Sequence, residues 1–319
     1  MTKVKAKRKH KLSKIVSRPR RRGKIWVMAV DPFGDRDLAQ VWNLVTPLAE
    51  KSGAEVQAAY VLAPSSMNWT GDFSGPWMKR YFPIAEKKMA EILPSTVKIN
   101  VIQCHNSGLR YAVKALIAFA KRVDAECLVI STHGRKGIAR VALGSFAETV
   151  ILTSKIPVLI LNPEVGVPSE VHKILVPTDL SKKSEKFVAN VADYAKNLNA
   201  EIVLYHKQPD PLDPIIQQGV YSLGGGWVSV QNFIDDEWKE KNRKIMKLEA
   251  LVSRRKVPVS HVVDSSPGGL IESIEKAAKE NGVDMVSVLT QSGSWSAALL
   301  GSVARGLVRS SPVPVLVQR

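Results

Sequence analysis

Cysteine is scarce: Cys104 and Cys127 are the only two in 319 residues, and no Cys-x-x-Cys occurs. That excludes a disulfide framework and fits a reducing cytoplasm. Long hydrophobic runs are also missing. Short runs such as Val158–Leu161 fall far short of the ~18 apolar residues of a membrane span. Acidic residues are absent from the first 24 positions, which hold twelve of the 46 Lys and Arg. Apolar residues are few there too, so residues 1–23 read as a disordered basic tail and not as a secretory signal. The tail suits weak contact with nucleic acid or an anionic surface. The familiar catalytic signatures are absent: no Gly-x4-Gly-Lys-[Ser/Thr], no Gly-x-Ser-x-Gly and no His-Glu-x-x-His. Acid pairs such as Asp235-Asp236 fall in a polar helical stretch, and no base stands beside a nucleophile, so no enzyme is expected.

What is present is a repeat. "GSFAETVILTSKIPVLIL" begins at Gly144 and "GSVARGLVRSSPVPVLVQ" at Gly301, a constant offset of 157. The fronts of the two halves match as well: "KIWVMAVD" ends at Asp31 and "KILVPTD" at Asp179. Each is an apolar run closed by an acid, as in a strand buried on both faces. An amphipathic helix follows each, with Leu38, Val41, Leu44, Val45 and Leu48 on one face, and Val188, Val191, Ala192, Ala195 and Leu198 on the other. The strands "AEVQAAYVL" and "AEIVLYH" come next, then long irregular pieces, Ala63–Trp77 and Gln208–Trp227. Further helices and strands complete β-α-β-α-β-α-β-α-β in each half. Such alternation predicts an α/β fold: two tandem, doubly wound, five-stranded parallel-sheet domains. The expected boundaries are 24–163 and 172–319, with 164–171 as linker. Ligands of such sheets lie past the C-terminal strand ends, where the strand order reverses. Asp31 past the first strand and Ser131–Gly134 past the fourth would then face one crevice.

The stretch "STHGRKGIARVALGS", residues 131–145, follows the apolar run Cys127–Ile130. A loop entering a helix N-terminus supplies convergent N–H donors for phosphate. Gly134 and Gly144 let the backbone approach closely, and the Ser145 hydroxyl can cap the helix or bind a phosphate oxygen. A plain strand-to-helix turn uses the same residues.

Each half resembles a universal stress protein domain. The family's nucleotide motif is Gly, two residues, Gly, nine residues, Gly, then Ser or Thr. Ser131-Thr132-His133-Gly134, nine residues, Gly144-Ser145 matches it at every step but the first. The resemblance covers nearly all of the chain after residue 24 and is to the tandem type, such as the E type. It implies a Rossmann-like fold of the adenine nucleotide alpha hydrolase kind, and ATP or another adenine nucleotide bound in the first domain. Asp31 would contact the adenosine part and Val61, ending the second strand, would line the same pocket. Ser131, His133, Gly134, Gly144 and Ser145 would form the phosphate loop. His133 has no second ligand group nearby in sequence, so no metal is expected. The resemblance also implies a non-catalytic stress-response regulator, with slow ATP hydrolysis left open. Its last strands would pair in a homodimer or in a pseudo-dimer within the chain. The second half keeps Gly293 and Gly301-Ser302, but only seven residues separate Gly293 from Gly301, and His206-Lys207 ends its second strand. It is expected to lack ATP and to act as a structural partner. Trp227 and Trp295 either line a different apolar pocket or pack. Two other roles stay open: a scaffold without nucleotide, and a nucleic-acid binder acting through the tail.

Overall fold

The computed structural model describes residues 24–34, 38–64, 76–132, 144–162, 170–208, 230–290 and 301–319. The first half runs β1 (Lys24–Ala29), α1 (Leu38–Lys51), β2 (Ala54–Leu62), α2 (Pro76–Ile92), β3 (Lys98–Gln103), α3 (Leu109–Arg122), β4 (Ala125–Ser131), α4 (Ser145–Thr153) and β5 (Val158–Leu161). The second repeats the order: β6 (Lys173–Pro177), α5 (Lys182–Leu198), β7 (Glu201–Lys207), α6 (Val230–Ser253), β8 (Val259–Asp264), α7 (Leu270–Glu280), β9 (Met285–Leu289), α8 (Ser302–Ser310) and β10 (Val315–Gln318). The α/β alternation read from the sequence is therefore the observed one. The irregular piece expected over Ala63–Trp77 gives way at Pro76, where α2 begins, because proline's fixed φ suits a first helical turn.

All ten strands form one sheet, ordered β3-β2-β1-β4-β5-β10-β9-β6-β7-β8. Within each half every pairing is parallel. The halves meet where β10 pairs antiparallel with β5, Leu316 opposite Leu159. These two leucines are 157 residues apart, the repeat offset, so equivalent residues face one another and the local pseudo-two-fold axis passes through them.

Alternation along the central strands feeds a core on each face. On β1, Trp26 and Met28 join one hydrophobic cluster and Val27 the other. The first cluster takes in Val41 and Val45 of α1, Met89 of α2, Val188 and Val191 of α5, and Leu248 of α6. The second takes in Leu116 of α3, Val150 of α4, Ile274 of α7 and Leu307 of α8. Both run through both halves, so the halves share one continuous three-layer core. Of the face predicted for α1, Leu38, Val41, Val45 and Leu48 are buried, while Leu44 is only partly so.

Candidate functional site

In each half the strand order reverses at the first strand: β1 lies between β2 and β4, and β6 between β7 and β9. Helices leave on opposite faces there, and a crevice opens past the strand ends. In the first half this is a cleft of about 310 Å³ whose lining includes Asp31, Val61, Ser131 and Gly144. Four residues chosen from sequence thus converge, although 13 to 70 positions separate successive members along the chain. His133 and Gly134 lie outside the described residues.

Asp31 follows β1 after one residue, Val30, and is exposed. Its Oδ1 accepts the Phe33 N–H at 3.1 Å. The turn this closes holds the carboxylate at the cleft mouth, where it can accept hydrogen bonds. Val61 is 9% exposed on β2, and Ala59, Tyr60 and Ala112 extend its apolar wall. Phe33 meets the Tyr60 ring edge-on at 5.7 Å between centroids. Ser131 is buried at the end of β4, and its hydroxyl donates to the Thr132 carbonyl at 3.3 Å.

Gly144 is the N-cap of α4, with φ −62° and ψ 146° and no side-chain capping bond. Any L-residue adopts that conformation, so the backbone alone does not demand glycine there. Ser145, the first helical residue, is exposed, and its carbonyl accepts the Thr149 hydroxyl at 2.7 Å. The uncapped first turn leaves N–H groups and the positive end of the helix dipole for an anion. Glu148 would oppose that anion, but Arg305 of α8 pairs with it at 3.0 Å. Sequence reasoning missed Tyr60, Phe146 and Arg305. Tyr60 and Phe146 adjoin predicted residues, whereas Arg305 carries no local signal.

The second half has a corresponding cleft of about 270 Å³, rebuilt with polar groups. Sheet register puts Lys207 opposite Asp264, as Val61 lies opposite Ile102. The Lys207 ammonium pairs with Asp264 at 3.0 Å and donates to the Ser273 hydroxyl at 3.0 Å. The Tyr205 hydroxyl donates to Asp264 at 2.7 Å. Burial pushes the Asp264 carboxyl up, but bonds from Ser266, Tyr205 and Lys207 outweigh it and hold the group well below the usual carboxylate range. Burial pushes the His206 imidazole down. The neutral ring donates from Nδ1 to the Thr178 carbonyl at 2.9 Å, and Nε2 has no partner among the described residues. Asp179, the counterpart of Asp31, is engaged: its Oδ1 accepts the Ser181 N–H at 3.0 Å and the Ser184 hydroxyl at 2.6 Å. A charged network of Lys207, Asp264, Tyr205 and Ser273 thus fills the place of the first half's apolar wall. Trp227 and Trp295 lie outside the described residues. Among the described residues no group of three His, Cys, Asp or Glu could hold a metal ion. No helix among them is long and apolar enough to cross a membrane.

The sequence pattern of the universal stress protein family matches residues 26–162 and again 170–319. The chain belongs to this family. It is 24% identical over 321 aligned residues to universal stress proteins of Mycobacterium tuberculosis and Mycobacterium bovis, covering 95% of this chain and 99% of each relative. A crystal structure of a universal stress protein from Archaeoglobus fulgidus superimposes with a TM-score of 0.64 at 19% identity. That match covers 92% of this chain and 98% of the other, and it shows the shared tandem fold.

Proposed function

We propose that this universal stress protein is a non-catalytic regulator whose first half binds an adenine nucleotide, ATP foremost. One observation carries the reading: Asp31, Val61, Ser131 and the uncapped Gly144 end of α4 line a single cleft at the strand-order reversal. The chemistry of that set fits the ligand. An apolar strip suits a purine face, an exposed carboxylate accepts from hydroxyl or amino groups, and free helix N–H groups meet phosphate. His133, Gly134 and Ser145 would complete the phosphate loop. The second half serves as structural partner, because Lys207 and Asp264 occupy its base-binding wall. The free, buried thiols of Cys104 and Cys127 suit a cytoplasmic setting.

The test is to denature freshly purified protein, identify any released small molecule by mass spectrometry, and titrate emptied protein with ATP by calorimetry. About one adenine nucleotide per chain is expected, with Gly144→Val abolishing binding while the melting temperature holds. Protein that is empty and silent toward ATP would refute the reading and leave an interaction scaffold. Retained binding in the variant would refute the site.

A further inference from the structure

A second cleft, on the opposite face of the sheet in the second half, carries a different signature. Its volume is about 460 Å³, and Lys182, Lys183, Lys186 and Arg319 line it. Among the described residues no acidic side chain lines it. Three lysines within the first two turns of α5 repel one another, and clustered charge left without counter-ions opposes folding. Arg319 adds a guanidinium, which donates to the Leu152 carbonyl at 3.4 Å.

The floor supplies the independent observation. Gln318, the last residue of β10, is 4% exposed, and its Nε2 has no hydrogen-bond partner among the described residues. Alternation along β10 sends Val315 and Val317 to the α7–α8 core and Leu316 to the α5 core, so Gln318 projects with Leu316 toward α5. Thr290, also on the lining, is 5% exposed, and its hydroxyl has no partner among the described residues. Buried polar atoms left unpaired are few in native proteins, and each calls for a ligand, a water or a reason.

The first half shows that the fold does not require them. Sheet register makes Leu161 the counterpart of Gln318 and Thr132 the counterpart of Thr290. The main-chain bond is kept in both halves: Thr132 N–H to Leu161 carbonyl at 2.8 Å, and Thr290 N–H to Gln318 carbonyl at 2.7 Å. Yet Leu161 is apolar and fully buried, and the Thr132 hydroxyl is satisfied by the Leu161 carbonyl at 3.2 Å. The segment entering the first helix reads Gly-Asp-Arg-Asp at 34–37, where the second half reads Ser-Lys-Lys at 181–183. One frame carries an apolar floor in one half, and a polar floor under lysines in the other.

We infer that the cleft between the start of α5 and the ends of β9 and β10 binds a compact polyanion, a chain of phosphoryl groups. The lysines supply charge, and the Gln318 amide and Thr290 hydroxyl supply donors at the floor. The site lies on the face away from the first-half type of cleft and does not depend on nucleotide binding there. The chain of phosphoryl groups could be free or belong to a nucleotide, and the two ligands below separate these sources.

The experiment is calorimetric titration of the full chain, carrying Gly144→Val, with inorganic triphosphate and with ATP. Triphosphate is expected to bind and to lose about tenfold in affinity in Gln318→Leu, which installs the first half's residue. The pair Lys182→Gln and Lys186→Gln should weaken binding and flatten its salt dependence. The Gly144→Val background removes the first half's proposed phosphate loop, so both titrations read the second-half cleft alone. Contact with the basic tail is common to every variant and cancels in the differences. Equal affinities for triphosphate and ATP would assign the phosphates alone, and tighter, Gln318-dependent ATP binding would assign a nucleotide. Absence of binding, or binding indifferent to both Gln318→Leu and the lysine pair, overturns the inference. Melting curves check folding, and a destabilised Gln318→Leu leaves the exposed lysine pair to decide.

Discussion

At the end of β2 Val61 lies opposite Ile102, and at the end of β7 Lys207 lies opposite Asp264. The two side chains of the polar pair are only 16% and 17% exposed. Partly desolvated charges of this kind stand because each satisfies the other, so removing one strands its partner. Asp264→Asn is expected to cost about 2–3 kcal/mol at pH 7, at or just below the ~3–5 kcal/mol for breaking a fully buried pair, because both side chains keep some contact with solvent. The pH dependence follows from the lowered carboxyl. A carboxylate whose folded-state pKa lies below its unfolded value stabilises the fold fully above about pH 4, and that stabilisation disappears as pH falls through the folded value. The stability gap between wild type and Asp264→Asn should therefore stay constant from about pH 7 to 5 and close below about pH 4. Urea unfolding at several pH values measures it, and a gap that widens on acidification would sink the assignment. Lys207 was legible as a departure at the end of its strand, but its partner was not. Lys207 and Asp264 are 57 residues apart, and only the β7–β8 register joins them. Asp31, Ser131 and Gly144 were legible because the acid closing the first strand and the glycine spacing are local signals.

Among the elements, β5 and β10 stand apart, since every residue of both is buried. The apolar runs Val158–Leu161 and Val315–Val317 would be adhesive edges if left open, and their antiparallel pairing closes both. Leu316, 3% exposed, faces Leu159 on the axis. Leu316→Asp places a carboxylate there without a partner, a cost of several kcal/mol. It should open the seam, lower the melting temperature sharply, and drive the soluble fraction into higher-mass species in light scattering. Leu316→Val should differ from wild type by less than about 1.5 kcal/mol and keep its mass. Equal behaviour of the two variants would show that the seam contributes little. The order of elements was readable because parallel sheets demand crossover helices, and the helical and strand periodicities are strong in this chain. The polar floor at Gln318 was not. In sequence Gln318 is one more residue of a closing strand, and its meaning depends on the lysines that α5 brings over it.

For the whole molecule, the seam raises the question of why the halves pair with each other and not with copies of themselves. Glu148 and Arg305 answer part of it. They are 157 residues apart, the repeat offset, so they are equivalent positions carrying opposite charges, and they meet at 3.0 Å. If either half paired with its own copy in this arrangement, Glu would face Glu or Arg would face Arg. A charge reversal at equivalent positions near a pseudo-two-fold axis therefore favours the mixed pairing and penalises both symmetric ones. At about one-third exposure the attraction itself is modest, of the order of 1 kcal/mol. Discrimination against the symmetric alternatives comes from repulsion as well. Arg305→Glu should lower the unfolding midpoint by an amount equivalent to about 1–2 kcal/mol and raise the fraction of larger species in light scattering. Adding Glu148→Arg, which restores the pair in reverse, should recover most of the loss, and the four-way cycle isolates the coupling from each residue's other contacts. If the swapped protein stays as unstable as the single variant, the pair has no part in matching the halves, and the packing of Leu159 against Leu316 alone must account for it.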